Sequence, residues 1–273
     1  MPLLARRLPE KFHFATAMEA SACIEIFAKH NQLIKVMDAI DEAITLFPAQ
    51  AVPFLSFAYD FYQAQQDTSR YHTYQARIFD FGIQPDHEVL DMGSGHIPFP
   101  LATHLADIST KDGRIGRGGA SFKLMEGKPV YECAVESTPF ADKEFDFVYC
   151  SHVLEHSPDP ARACKELMRI ARRGYIETPT RGKDVFLASA RPSNHLNAVE
   201  LRGDVLTFFP YSPDEIQGLN VDILQQMHST PQTAREKAFS ALLYLYPQAV
   251  NTMLLWENDF LYDVSCACDS AQA

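Results

Sequence analysis

Apolar and polar positions follow two different periods along this chain, and the change of period divides it. In the first 68 residues, Leu33, Val36, Met37, Ile40, Ile44 and Phe47 recur at three- and four-residue steps, which places them on one stripe of an amphipathic helix. Pro48 and Pro53 punctuate the run, and Phe54, Phe57, Phe61 and Ala64 open a second helix of similar pattern. No second copy of the pair follows at a fixed period, so a repeat array is not expected. A further helix is expected over Ser69–Phe81, with Tyr74, Ile78 and Phe81 on one face. The expected division is an N-terminal helical region, 1–68, serving as a cap, a substrate lid or a dimer surface, and a larger region, 69–273.

After Pro85 short apolar runs replace the long stripes. His87–Met92, Val130–Val135, Phe145–Cys150 and Tyr175–Glu177 read as strands, and a helix is expected from Ala161 to Ala171 behind Pro158 and Pro160. Strands alternating with helices imply a mostly parallel sheet covered on both faces. Pro98–Ala106 leaves room for about two helical turns, with Pro98 in the first, where its missing N–H costs nothing. Residues 108–129 break the pattern with Gly113, Gly116, Gly118, Gly119 and Gly127 among Lys111, Arg114, Arg117, Lys123 and Lys128; so much glycine reads as a mobile surface loop, the alternative being a clamp for an anionic group. Ala198–Phe209 reads as a hairpin turning at Arg202-Gly203-Asp204. Ser212-Pro213-Asp214-Glu215 is a capping box that starts a helix, and Thr230-Pro231 opens another toward Tyr246. Met253–Val264, interrupted at Glu257-Asn258-Asp259, gives one or two strands able to close the sheet edge in antiparallel fashion.

Composition narrows the classes without choosing among them. The 273 residues, 47% hydrophobic, are enough for one α/β domain with an appendage. No run approaches the roughly 18 apolar residues of a membrane span, and the start, Met1 to Arg7, has no apolar core of a secretory leader. The six cysteines follow no framework spacing, which together with the missing leader points to a cytoplasmic, reduced protein. A formal charge of -11 repels a polyphosphate backbone and argues against a long nucleic acid as partner.

The chemistry gathers around Glu88–Pro98. An apolar run ends in Asp91 and opens into Gly93-Ser94-Gly95, a turn in which backbone can approach a ligand closely. A nicotinamide fingerprint would need a third glycine where Pro98 stands, which disfavours a dehydrogenase. Asp107, sixteen residues after Asp91, falls where a second strand would end, and an acid there can accept hydrogen bonds from both hydroxyls of a ribose.

Several segments in order, Val89-Leu90-Asp91-Met92-Gly93-Ser94-Gly95, then Ser137 through Phe145-Asp146 to His152-Val153-Leu154-Glu155-His156, and Arg173 to Pro179, resemble the class I S-adenosylmethionine-dependent methyltransferases, in particular the bacterial small-molecule, type 11-like branch. The resemblance covers about 88–179. It implies a doubly wound, Rossmann-like α/β fold, with the helical appendage on one side of the sequence and C-terminal antiparallel strands on the other. It also implies that Gly93 and Gly95 wrap the methionine part of S-adenosylmethionine through their backbone, with Ser94 between them, that Asp91 supports the turn or the ammonium group, and that Asp107 holds the ribose. Where that branch offers an acid to adenine this chain has Ala134, leaving the backbone of Val135 and the side chain of Glu136 as the adenine contacts. Cys150 and Ser151 would lie beside the methionine moiety. Such a transfer needs an aligned acceptor and little else, so the expected catalytic residues are His152, as a base or else as an anchor of its loop, and Glu177, toward a polar acceptor or else as a loop cap.

The expected activity is therefore methyl transfer to an oxygen or nitrogen of a small metabolite. Its rivals are a methyltransferase acting on protein or RNA and a non-catalytic S-adenosylmethionine-binding protein. A homodimer through the N-terminal helices is the expected form of any self-association. His152 and His156 have the spacing of zinc ligands on a helix, but the wider motif accounts for them, and no metal is expected. Cys266-Ala267-Cys268 lacks a second pair and reads as surface cysteine, and His195 and Trp256 read first as packing residues.

Overall fold

The computed structural model describes residues 7–65, 67, 69–111, 119–186, 194–212 and 230–265. The chain forms two compact units, Met1–Phe81 with Val221–Ala249, and Gly82–Asn220 with Val250–Ala273.

The first unit is helical. Besides the two expected helices, α2 (Leu33–Leu46) and α3 (Ala51–Gln63), it contains α1 (Ala17–Lys29). That helix buries little more than Ala20 and Ile24, so its apolar stripe is faint in the sequence, but Thr16 caps it by accepting the Glu19 N–H at 3.1 Å. The stretch expected as one helix over Ser69–Phe81 is a π-turn at Tyr71–Gln75 running into α4 (Ala76–Ile78). The boundary expected at 68 lies at 81, and the unit is finished by a helix from far along the chain, α7 (Ala234–Leu245). The physical reason is burial: Ala238, Ala241 and Leu245 complete a core with Val36, Ile40, Phe54 and Ala58 that two amphipathic helices cannot close alone. Arg77 fixes the arrangement, donating to buried Asp38 at 2.8 Å, to Asp41 at 2.6 Å and to the Leu245 carbonyl at 2.8 Å. The start of α7 is set by Thr233 and Glu236, a reciprocal capping box, rather than by Thr230-Pro231.

The second unit is a six-stranded sheet in the order β3-β2-β1-β4-β5-β8, built from β1 (Val89–Met92), β2 (His104–Asp107), β3 (Val130–Glu132), β4 (Phe145–Ser151), β5 (Ala171–Pro179) and β8 (Asn251–Glu257). The first five run parallel and β8 closes the edge antiparallel to β5. A second sheet joins β6 (Asn197–Arg202) and β7 (Val205–Pro210), the expected hairpin, to β9 (Leu261–Val264). This last strand departs from the antiparallel expectation: after the turn at Asn258 it leaves the main sheet and pairs in parallel with β7. Helix α5 (Pro160–Ile170), capped by Asp159, packs Ala163, Cys164, Leu167 and Ile170 into a core with Leu90, Met92, Val148, Cys150 and Ile176. A short helix, α6 (Arg181–Phe186), follows β5.

No helix forms over 98–106, where two turns were expected. Pro100 removes a second backbone donor and biases Phe99 away from helical angles. Instead the Phe99 ring is buried and stacks on Tyr149, with centroids 4.2 Å apart and planes 3° from parallel. The helix expected from Ser212 onward, the centre of the glycine-rich loop and Cys266-Ala267-Cys268 lie outside the described residues. No helix among the described residues is long and apolar enough to cross a membrane.

Candidate active site

The strand order reverses direction between β1 and β4, and in an open parallel sheet a ligand binds at the carboxyl ends of the strands that flank such a reversal. The glycine turn leaves β1 at that point. Gly93 and Ser94 donate to the Ala106 carbonyl at 2.8 and 3.0 Å, and Gly95 donates to Asp107 Oδ2 at 3.0 Å. Asp91 Oδ2 accepts the Phe99 N–H at 2.7 Å, so this carboxylate supports the turn. Gly93 has φ of +81°, and a Cβ there would stand 2.1 Å from Val153 Cγ2. Only glycine satisfies both conditions, and the turn thereby lies directly against the segment that leaves β4.

Two hydroxyls at this place are buried without a hydrogen-bond partner among the described residues, Ser94 Oγ and Ser151 Oγ. Burying a hydroxyl unpaired costs about 1–3 kcal/mol, so such groups mark a place where a ligand atom completes the bonding. They sit at the ends of neighbouring strands, since Met92 pairs with Cys150, Ser151 is the last residue of β4 and Ser94 stands two residues beyond the end of β1. Asp107, 6% exposed, also accepts the Ser109 N–H at 3.2 Å through Oδ1.

The remaining expected contacts are distributed less simply. Val135 and Glu136 form the corner of a turn closed by the Ser137 N–H on the Ala134 carbonyl at 3.1 Å. The Val135 side chain is in the core, and Glu136 already accepts a hydrogen bond from Ser157 Oγ. The Cys150 side chain is wholly buried in the core that α5 completes, and burial pushes its thiol well above the ordinary range.

His152 and Glu177 come together. The register places Ser151 opposite Glu177, and the His152 N–H donates to the Glu177 carbonyl at 2.7 Å with His152 itself at φ +58°. A non-glycine residue in that left-handed region carries strain of the kind found at functional loops. Its ring lies between two buried carboxylates, Nδ1 3.2 Å from Glu155 Oε1 and Nε2 3.5 Å from Glu177 Oε1, and Tyr175 donates its hydroxyl to Glu177. Around Glu155, burial alone would raise the carboxyl, but the hydrogen bond from His152 and the neighbouring imidazoles outweigh it and hold the group at about 2. His156 and His195 adjoin the same Glu155 oxygen, each with Nε2 at 4.0 Å, Asp184 backs His195, and Tyr211 donates to Asp184. Asp184 was missed in the sequence: nothing in Gly182-Lys183-Asp184-Val185 marks it, because its partner His195 stands 11 residues further on.

Comparison with known proteins bears on the same segment. Residues 91–176 match the family model described as a methyltransferase domain. No curated protein matches the sequence. Among solved structures, the YcgJ protein of Bacillus subtilis is 20% identical, over 36% of this chain and 46% of its own, with a TM-score of 0.28. A Methanosarcina mazei S-adenosylmethionine-dependent methyltransferase is 19% identical over 44% of this chain and 69% of its own, with a TM-score of 0.30. One from Thermotoga maritima is 20% identical over 54% and 66%, with a TM-score of 0.31. The chain spans about half the length of several of the structures it matches. The family match falls on the segment that holds β2, β3, β4 and the glycine turn, so residues 91–176 are similar to a methyltransferase domain.

Proposed function

We propose that this protein transfers a methyl group from S-adenosylmethionine to an oxygen or nitrogen of a small metabolite. The observation that carries the reading is the pair of unpartnered buried hydroxyls, Ser94 and Ser151, at the strand reversal inside the matched methyltransferase segment. Bound there, S-adenosylmethionine supplies a methyl group already made electrophilic by its sulfonium. The chain's own residues have the simpler tasks of holding, orienting and excluding water. In this reading Gly93, Ser94 and Gly95 hold the methionine part with Ser151, Asp107 takes the ribose hydroxyls, and Val135 and Glu136 face adenine. His152 and Glu177 orient the acceptor, with the proton it loses passing to the His152–Glu177 pair. The net charge of -11 supports a small acceptor over a nucleic acid. The absence of a disulfide at Cys23, Cys133, Cys150 and Cys164 accords with a reducing compartment such as the cytoplasm.

The test is calorimetric titration of the full chain with S-adenosylmethionine, followed by formation of S-adenosylhomocysteine in the presence of separate metabolite, protein and RNA pools. Binding should weaken at least about tenfold in Asp107→Ala, and turnover should appear with the metabolite pool alone. His152→Ala should lower kcat while leaving cofactor affinity in place. Turnover with protein or RNA in place of metabolites would replace the acceptor class, and a chain that binds no cofactor would overturn the reading.

A further inference from the structure

Beside the strand mouth, three ligand-type atoms converge in a buried place: Glu155 Oε1, His156 Nε2 and His195 Nε2, all within 4.8 Å of one another. Each histidine nitrogen is 4.0 Å from the same carboxylate oxygen, too far for a hydrogen bond. The two rings meet edge to face, with centroids 4.7 Å apart and planes at 75°.

The outer side of each ring is already committed. His156 Nδ1 lies 3.2 Å from the Asn194 carbonyl, which can only accept, so Nδ1 carries the proton and Nε2 presents its lone pair inward. His195 Nδ1 lies 3.0 Å from Asp184 Oδ2, and that carboxylate is itself held by the Tyr211 hydroxyl at 2.9 Å. A carboxylate behind a histidine fixes the ring and raises the basicity of the far nitrogen, the arrangement that supports metal-bound histidines. Glu155 is wholly buried; the Oε1 that meets the two rings also has His152 Nδ1 at 3.2 Å, and Oε2 has no hydrogen-bond partner among the described residues. Two inward lone pairs and the carboxylate oxygen they face repel one another unless something positive sits among them.

The backbone holds the three side chains in register. The Leu196 N–H donates to the Glu155 carbonyl at 2.8 Å, and Asn197 Nδ2 donates to the Ser157 carbonyl at 2.8 Å. The turn after β4 and the approach to β6 are thereby tied together on both sides of the cluster, within one compact unit. Tetrahedral zinc bonds of about 2.0–2.1 Å put ligand atoms about 3.4 Å apart, so the two 4.0 Å pairs need to close by about 0.6 Å and the widest pair, within 4.8 Å, by up to about 1.4 Å, within reach of side-chain rotation. Two imidazoles with one carboxylate suit a transition cation, whereas magnesium and calcium prefer all-oxygen sets.

We propose that Glu155, His156 and His195 bind a divalent transition-metal ion, with Asp184 and the Asn194 carbonyl orienting the two histidines. The inference goes beyond methyl transfer and needs neither cofactor nor acceptor. Its test is run without either, so the two readings fail independently.

The experiment starts from the full chain stripped with a chelator, titrated calorimetrically with zinc chloride and, in parallel, with cobalt followed by its visible absorption. One ion per chain is expected. His156→Ala and His195→Ala should each weaken zinc binding at least about a hundredfold, and Asp184→Asn about ten- to a hundredfold. Circular dichroism checks that the variants fold. Should they not, nitrogen-15 spectra of the wild-type imidazoles decide instead: zinc should shift Nε2 of His156 and His195 selectively. Zinc uptake that the double variant His156→Ala/His195→Ala leaves unchanged, shifts confined to other histidines, or no uptake by the wild type would each overturn the proposal.

Discussion

At the scale of single residues, the site depends most on Gly93. Its φ of +81° and the 2.1 Å that would separate an added Cβ from Val153 Cγ2 mean that any side chain must move the turn or the segment leaving β4. Gly93→Ala is expected to cost about 1–3 kcal/mol in urea unfolding. Because the same movement displaces Ser94 and the loop carrying His152, S-adenosylmethionine affinity should fall by more than the tenfold expected of Asp107→Ala. An equal affinity in the two variants would mean that the turn tolerates displacement. The glycine turn and the acid closing the second strand were legible in the sequence as places in the fold, and the structure has Gly93 at φ +81° and Asp107 at the end of β2. The Ser94 and Ser151 hydroxyls became informative only when burial without a partner could be seen.

At the scale of elements, α5 is tied to the connector that follows β3 by one side chain. Glu166 accepts from the Thr138 N–H at 2.8 Å and from its hydroxyl at 2.6 Å, while Arg169 donates to it at 2.9 and 2.7 Å. The Arg169 bonds, opposed by burial and helped by Thr138, bring the carboxyl from 4.5 down to about 2. A carboxylate depressed on folding stabilises fully above its unfolded value and loses that contribution as pH falls through its folded one. Glu166→Gln should therefore lower stability by about 1 kcal/mol at pH 7, a modest figure because Arg169 is 33% exposed and solvent screens the pair. The gap between wild type and variant should narrow from about pH 4.5 and close near pH 2. Urea unfolding at several pH values measures it, and a gap that persists unchanged at low pH would assign the loss to packing. Elements with a strong period, α2, α3 and β4, were readable from the sequence. The missing helix over 98–106 was misread because Pro98 alone permits a helix start, whereas Pro98 with Pro100 does not. The pairing of β9 could not be read, since a strand's pattern fixes which faces it buries but not which neighbour it joins.

At the scale of the whole molecule, the chain visits its two units alternately: helical to Phe81, sheet-forming thereafter, helical again in α7, and back to the sheet with β8. Leu245, 1% exposed, closes the helical core from a position more than 180 residues after Leu55. Leu245→Ala should destabilise by about 2–5 kcal/mol. Hydrogen exchange should show the loss as faster opening of α2 and α3 amides; protection lost in β1 and β4 alone would contradict it. The boundary at 68 was misplaced for the same reason, because helical periodicity shows that a face needs covering without naming the distant segment that covers it. This interleaving also has a consequence for synthesis. Domains made early on the ribosome ordinarily fold before the rest emerges. Here the helical unit waits for α7 and the parallel sheet for β8, so both reach completion only as residues 234–257 leave the exit tunnel. During translation the chain therefore exposes two half-built cores, and shielding them at that stage falls to the ribosome and its chaperones.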